Sequence, residues 1–458
     1  MPSLSLTAYK VITAAVLILL PQAAVLAQTQ AEKLAEFEKA VVAELESTRT
    51  PGAAVAIVSG NRMIYSKGFG NESVEESSKV TSETLFRIGS TTKMLTAASA
   101  AMLADSGKVR FDAPVSTYVA GLPAKVGKLT LHQLLSQSSG LRDMPTPIKS
   151  DDDSALALNV AGWKDDAFFT DPSTIYSYSS ANFWLAGLVV ERMHGKSYAD
   201  AMAELLFAPL GMKRTFLRPR DAMTYPLALG HDRSGTSHTV VRPAPNNAAI
   251  YPGGSVYSSV NELSRWAIAL LNRGVLDGQQ VLPAGLTEKL FKPHFLLPGG
   301  HAYYSYGMLG YDVAGVSTIG HGGVSRGYGA TLFFVPTMKL GLIVLTNSNG
   351  QTLPASRQKF NELFLPAPRS DESNPANGSD ITIPQTAFVG VFEHAPQRWE
   401  ITLDSGTLYV TSGGKRSELK RQGDLEFTSD QGPLVFVPNP AGEFDHIFMG
   451  LYAAKRSK

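Results

Sequence analysis

Apolar positions at the start of the chain recur with a helical period. In "AEKLAEFEKAVVAELES", residues 31–47, Leu34, Phe37, Val41 and Leu45 share one face, and Thr50-Pro51-Gly52 ends the helix. Strand-like runs follow: "AAVAIVSG" and "RMIYSKGFG", joined by Ser59-Gly60-Asn61, predict a hairpin. Residues 85–290 return to a helical pattern punctuated by Pro and Gly. "GATLFFVP" and "KLGLIVLTN", on either side of Thr337-Met338, predict a second hairpin, and "ASRQKFNELFL" predicts a closing helix. Strands at both ends of a helical middle predict one α+β domain whose antiparallel sheet is built from both ends of the chain.

The pattern changes at residues 366–380, "PAPRSDESNPANGSD", a linker without apolar periodicity. Beyond it, "FVGVFEH", "WEITL", "TLYVT", "LEFT", "PLVFV" and "HIFMGLY" alternate apolar and polar residues between turns. Residues 381–458 are therefore expected to form a separate, small all-β domain. At the other end, "MPSLSLTAYKVITAAVLILLPQAAVLAQ" carries Lys10, an apolar run Val11–Leu20 and the small-residue site Val25-Leu26-Ala27. This predicts a signal peptide over 1–27, cleaved on export to the periplasm or medium. Pro21 and Gln22 stop the run short of the ~20 apolar residues that a spanning helix needs, so no stable membrane insertion is expected after cleavage.

Composition narrows the chemistry. Of 458 residues, 44% are hydrophobic and 18% charged, with a formal net charge of +1, which describes a globular chain and gives no electrostatic case for nucleic acid. The chain has no cysteine, which excludes disulfides, thiolate metal sites and cysteine nucleophiles. Its nine histidines form no pair with zinc-site spacing, so no metal or other cofactor is expected. Oligomeric state is not legible in the sequence.

One charge stands out. In "FRIGSTTKMLTAASAAMLADSG", residues 86–107, Lys93 opens a helix that is apolar on most faces, and no other charge lies between Arg87 and Asp105. A cation in a first helical turn opposes the helix dipole, and apolar neighbours leave little water around it. Both effects lower a lysine pKa, and a lysine neutral near pH 7 accepts protons. Ser90 lies one turn earlier, on the same side. Taken singly, Ser90 reads as a helix cap and Lys93 as a snorkelling side chain. Taken together, they read as a nucleophile and its base, with the Ser90 N–H at a helix start available to an oxyanion. Ser417 and Lys420 share the spacing, but they fall among strand runs, where residues three apart face opposite sides.

The segment around Ser90 resembles the active-serine segment of the serine β-lactamase, DD-peptidase and esterase superfamily, in its class C branch. The resemblance continues through "LTLHQLLSQSSGL", "YSYSSANFWLAGLVVERMHGKSY", "APLGMKRTFL", "YPGGSVYSSVNELSRW" and "IGHGGVSRGYGATLFFVP". It covers about residues 33–365 in order, and implies a β-lactamase/transpeptidase-like domain over 28–365 with a helical subdomain. It puts the Ser-x-x-Lys element on Ser90 and Lys93. The Tyr-x-Asn element falls on Tyr178-Ser179-Ser180, with Ser180 where the family usually has asparagine. Tyr176 is a second candidate, but it leaves the following helix two residues out of step and fits better as a packing aromatic. The third element falls on His321-Gly322-Gly323, a strand edge lining the cleft, with the Val324 N–H completing an oxyanion hole. The C-terminal domain resembles the lipocalin-like barrel appended to several peptidase-like members.

Two departures bear on substrate. His321, in place of a lysine, is expected to be a weaker, pH-dependent cation, and Ser180 lacks the amide of asparagine. Both favour a peptidase or esterase over an efficient β-lactamase. The expected activity is hydrolysis of a peptide amide, next to a D-residue, through a Ser90 acyl-enzyme with Lys93 and Tyr178 sharing the proton. A carboxylic ester or β-lactam is the next substrate class, and a penicillin-binding or sensor protein without turnover is the non-enzymatic alternative. Gly323-Val324-Ser325-Arg326-Gly327 matches a nucleophile elbow, but that turn must follow a strand and open a helix, and here strand-like runs follow.

Overall fold

The computed structural model describes residues 29–146, 148–235, 237–367 and 383–457. The leader expected over 1–27 and residues 368–380 of the expected linker lie outside them.

Eight antiparallel strands form the main sheet: β1 Gly52–Ser59, β2 Arg62–Gly70, β3 Phe295–Leu296, β4 Ala302–Tyr304, β5 Leu309–Val313, β6 Val316–Ser325, β7 Tyr328–Val335 and β8 Leu340–Thr346. Their spatial order is β2-β1-β8-β7-β6-β5-β4-β3. The pairing of β1 with β8, from Ala53 opposite Thr346 to Ser59 opposite Leu340, joins the two predicted hairpins and builds the sheet from distant parts of the chain. β7 and β8 are buried at every position, which suits their unbroken apolar sequences. Ala54, Ala56 and Val58 on one face of β1 share a core with Trp266 and Leu270 of the helix Val260–Leu271. The same core takes in the helix Thr92–Asp105, called the serine helix below, and the helix Ser180–His194, called the tyrosine helix.

The C-terminal residues form a nearly closed, nine-stranded barrel. Its strands are β9 Gly390–His394, β10 Gln397–Asp404, β11 Thr407–Ser412, β12 Lys415–Glu418, β13 Lys420–Arg421, β14 Glu426–Ser429, β15 Gly432–Pro438, β16 Phe444–Met449 and β17 Tyr452–Arg456. They run in the order β12-β11-β10-β9-β17-β16-β15-β14-β13 around a core that includes Phe388, Phe392, Phe427 and Phe436. Two strands, "KRSE" and "KR", carry no apolar alternation, and "HIFMGLY" is two strands broken at Gly450-Leu451. Gly450, at φ 61, permits that two-residue turn.

This barrel and residues 50–352 make one compact unit, while residues up to Arg49 and Leu353–Ala367 make another. In the second, helix 29–48 buries Phe37, Val41 and Leu45, the face read from the sequence. The buried Glu44 carboxylate caps the helix Pro354–Phe364, accepting the N–H groups of Ala355 at 3.1 Å and Ser356 at 2.6 Å.

Candidate active site

The serine helix is buried on nearly every face, and its buried polar side chains Thr92, Lys93, Thr96 and Ser99 all find specific partners. Thr92 Oγ1 accepts the Val256 N–H at 3.2 Å, and Thr96 Oγ1 donates to the Pro252 carbonyl at 2.7 Å. Between them Lys93, fully buried, donates to the Gly253 carbonyl at 2.6 Å, to Ser90 Oγ at 3.1 Å and to Ser180 Oγ at 3.4 Å. The stretch "YPGGSV" thus cradles the lysine with a backbone oxygen. Burial pulls the Lys93 pKa from 10.5 down to about 7, and the Asp143 carboxylate opposes part of that fall.

Ser90 does not cap the helix. It sits in a single 3₁₀ turn, Gly89–Thr91, between the short strand Phe86–Arg87 and the helix proper, and Thr91 Oγ1 closes that turn on the Ile88 carbonyl at 2.7 Å. Gly89 has φ 54 and lies against β6 so tightly that a Cβ there would come within 2.7 Å of the Val324 nitrogen. Gly323 is equally constrained, because a Cβ on it would overlap the Ile88 carbonyl oxygen at 2.0 Å. The two glycines bring the Ser90 turn and the Val324 backbone side by side, while the Val324 side chain stays 58% exposed.

The two candidate tyrosines differ in what they touch. Tyr178 donates its hydroxyl hydrogen to Ser90 Oγ at 2.8 Å, whereas the buried Tyr176 hydroxyl has no hydrogen-bond partner and its ring packs against Tyr304 and Phe448. Burial drives the Tyr178 pKa far above the usual phenol value, so the group is a neutral donor at pH 7. The Lys93 ammonium position lies 4.9 Å from the Tyr178 ring centroid.

Every backbone N–H from Ser177 to Ser180 is held. Ser177 donates to the Gln137 carbonyl at 3.0 Å, Tyr178 to the Leu451 carbonyl at 2.9 Å, Ser179 to Gln137 Oε1 at 2.9 Å and Ser180 to Asp143 Oδ1 at 2.8 Å. Gln137 takes up a left-handed conformation at φ 59 to do this, and its Oε1 also accepts from Asn182 at 2.5 Å. Leu451 belongs to the β16–β17 turn of the barrel, and the adjacent Ala453 N–H donates to Ser177 Oγ at 3.1 Å. The barrel therefore fixes the backbone of the tyrosine that reaches Ser90.

His321 lies on β6 with its ring centroid 6.0 Å from that of Tyr178. Its Nδ1–H donates to the Gly322 carbonyl and its Nε2 accepts from the Tyr304 hydroxyl at 3.1 Å, a neutral tautomer satisfied on both sides. Burial, with the neighbouring Lys93 adding to it, pushes its pKa down to about 4. His321 is thus shifted toward its uncharged form at neutral pH, the same direction as the weaker, pH-dependent cation expected from the sequence. Ser180 stands at the start of the tyrosine helix with its hydroxyl turned to Lys93. Ser325 ends β6 and leads by a tight turn into β7, so no helix follows it as a nucleophile elbow requires. Among the described residues no group of three or more His, Asp or Glu side chains is placed to hold a metal.

A lysine and a tyrosine that converge on one serine, on an antiparallel sheet beside a helical half, define a β-lactamase/transpeptidase-type protein. The Beta-lactamase family profile matches residues 37–364, and the chain belongs to that family, whose members are serine hydrolases. The chain is 27% identical over 349 residues to the unguisins hydrolase ungD of Aspergillus violaceofuscus, an alignment covering 68% of this chain and 61% of that protein, less than two thirds of its length. It is 30% identical over 320 residues to penicillin-binding protein 4 of Amycolatopsis lactamdurans, covering 66% of this chain and 82% of the relative. The crystal structure of SurE superposes with a TM-score of 0.76 at 21% identity over 93% of this chain and 100% of that one. The structure of SurE with D-Leu gives 0.74 at the same identity and the same coverage. At that identity the likeness is one of fold, and it extends through the barrel.

Proposed function

We propose that the chain is an exported serine hydrolase that cleaves a peptide amide, next to a D-residue, through an acyl-enzyme on Ser90. The observation that carries the reading is the pair of contacts on Ser90 Oγ, one from a lysine near its neutral form and one from a neutral phenol. Lys93 takes the Ser90 proton as Oγ bonds to the carbonyl carbon, and the backbone N–H groups of Ser90 and Val324 receive the oxyanion. As the C–N bond breaks, the proton passes by way of Tyr178 to the leaving amine. Water then cleaves the ester with the same groups in reverse order. The Tyr178 phenol starts protonated, which makes it the relay and leaves the base role to Lys93.

The neutral His321 supports an amide or ester over a β-lactam, because it offers no cation to the antibiotic's carboxylate at pH 7. The relatives support the peptide side: one is named as a hydrolase of unguisins, and SurE has been crystallised with D-Leu. Export rests on the leader pattern at 1–27. No helix of the described residues is long and apolar enough to cross a membrane.

The test is a panel of nitrocefin, a p-nitrophenyl ester and D- and L-alanyl anilides, offered to the mature protein and followed by both turnover and intact mass. Faster turnover of a D-alanyl anilide is the expected result. Turnover of nitrocefin alone would make the protein a β-lactamase, and a stable Ser90 adduct without release would make it a penicillin-binding protein. Tyr178→Phe removes only the relay hydroxyl, and is expected to lower kcat by about 10²- to 10³-fold. Its KM should be nearly unchanged, since the ring and its backbone anchors remain; an unaltered kcat would remove Tyr178 from the mechanism.

A further inference from the structure

Asp143 is a charged side chain at the site for which neither the sequence motifs nor the proposed acyl transfer provides a role. It enters from the loop that follows Leu141 and is gripped from three sides. Its N–H donates to Nε2 of the barrel residue His394 at 3.3 Å, while the His394 Nδ1–H donates to the Ala453 carbonyl at 2.6 Å. One carboxylate oxygen accepts the Ser180 N–H at 2.8 Å, and the Ser180 hydroxyl is the one that Lys93 reaches. The third neighbour is Tyr452, on the barrel strand after the Leu451 turn, whose hydroxyl bonds the Asp143 carboxylate and whose ring meets that of Tyr178 edge-on at 6.3 Å.

The electrostatic surroundings agree with this placement. The Asp143 charge raises the phenol pKa values of Tyr178 and Tyr452 and supports the Lys93 cation. Arg142, next in the chain, acts on His394 on the barrel side. Around Ser90 at pH 7, Lys93 is near its midpoint, Tyr178 is a phenol and His321 is an unprotonated ring. Asp143 is the carboxylate that acts electrostatically on both Lys93 and Tyr178. One Asp143 oxygen is held by the helix amide and the Tyr452 hydroxyl also bonds the carboxylate, whose two oxygens together have acceptor capacity beyond those bonds.

We propose that Asp143 selects substrates by binding a free α-ammonium group on the acyl side of the scissile bond, which would make the enzyme an aminopeptidase. This rests on the Ser90 reading above and specifies the substrate of that same site. The half-buried carboxylate stands at the start of the tyrosine helix, beside the two groups that act on Ser90, and it is kept there by His394 and Tyr452 of the barrel. A charge-assisted bond of this kind discriminates by about 10- to 100-fold.

The experiment compares alanine p-nitroanilide with its N-acetyl counterpart, in both D and L forms, on the full chain and on Asp143→Asn at pH 7. The α-amino group is largely protonated there. Asparagine keeps an oxygen for the Ser180 N–H, so the tyrosine helix retains its cap. Wild type is expected to favour the free amine by at least about 10-fold in kcat/KM, and Asp143→Asn to bring the ratio of free-amine to N-acetyl kcat/KM close to one, whatever change both substrates share. Equal handling of both substrates by wild type overturns the proposal. An equal loss on both in Asp143→Asn, with a displaced pH profile, also overturns it and makes Asp143 a positioning residue for Lys93. The corresponding p-nitrophenyl esters, read by Ser90 adduct mass, keep the test independent of turnover. Labelling at Ser90 that ignores the amine sinks this proposal alone, and no labelling by any ester sinks the Ser90 reading with it.

Discussion

Ser90→Ala is expected to abolish both turnover and adduct formation, with kcat falling by at least about 10³-fold and no mass increment from any substrate of the panel. The size of the loss follows from what remains. Lys93 keeps its bond to the Gly253 carbonyl, and the tyrosine backbone stays pinned by Gln137, Leu451 and Asp143, so the cleft is intact but has no atom to acylate. The fold should tolerate the change within about 1 kcal/mol, since a half-buried hydroxyl is removed and the 3₁₀ turn is closed by Thr91 rather than by Ser90. Ser325→Ala is the matched control: it alters a serine in a similar-looking motif at the end of β6 and should leave activity unchanged. Activity that survived Ser90→Ala but vanished with Ser325→Ala would transfer the nucleophile to the elbow motif and end the present reading.

The sequence revealed what depends on local spacing. Both hairpins of the sheet, the apolar face of the first helix and the Ser90–Lys93 turn are encoded within a few residues, and each has a periodicity or a misplaced charge to mark it. The choice of Tyr178 over Tyr176 needed only the register of the helix that follows. Other features of the site are made by backbone atoms or by distant segments. The Gly253 carbonyl that binds Lys93 is a main-chain group 160 residues away from it, and the barrel carbonyl that anchors Tyr178 comes from Leu451. Neither has a side-chain signature. Asp143 belongs to no sequence motif, because only the fold brings it to the tyrosine helix. Gln137 did stand within a quoted family segment, and its left-handed φ is the physical reason it turns an amide under Ser179. His321 was correctly put on a strand edge, but its charge state depends on Tyr304 and Lys93, neither of which is a sequence neighbour. The barrel strands Lys415–Glu418 and Lys420–Arg421 escaped for a different reason. Nearly closed barrels hold such short polar strands by main-chain pairing, which leaves no apolar pattern to read.

Replacing Lys93 with methionine is expected to give a more stable and inactive protein at neutral pH, and the sign of the stability change is expected to reverse in alkali. The lysine is fully buried, and burial brings its pKa from 10.5 to about 7, so the folded state binds its proton more weakly than the unfolded chain does. That difference works against the fold by about 5 kcal/mol wherever both states are protonated, which is below pH 7. It shrinks as the pH rises from 7 and vanishes near 10.5, where the unfolded chain also gives up the proton. Methionine fills a similar volume without a charge, but it leaves the Gly253 carbonyl unpaired, a loss of about 1–3 kcal/mol at every pH. The variant should therefore gain about 2–4 kcal/mol at pH 6, approach wild type between pH 8 and 9, and fall below it by pH 10.5. Urea unfolding of both proteins at pH 6, 8 and 10 measures this directly. Activity should move the other way. Wild-type kcat/KM should climb through pH 7 as Lys93 loses its proton, and the variant should lose about 10³-fold or more on the plateau, because no other described group is placed to deprotonate Ser90. A Lys93→Met protein that was less stable at pH 6 would mean that the lysine is held by more than burial allows, and a wild-type profile flat through pH 7 would deny it the role of base. Stability lost at the site in return for a lysine that is half neutral at physiological pH is what a buried general base requires, and it explains why an otherwise apolar helix carries a single charge one turn after its serine.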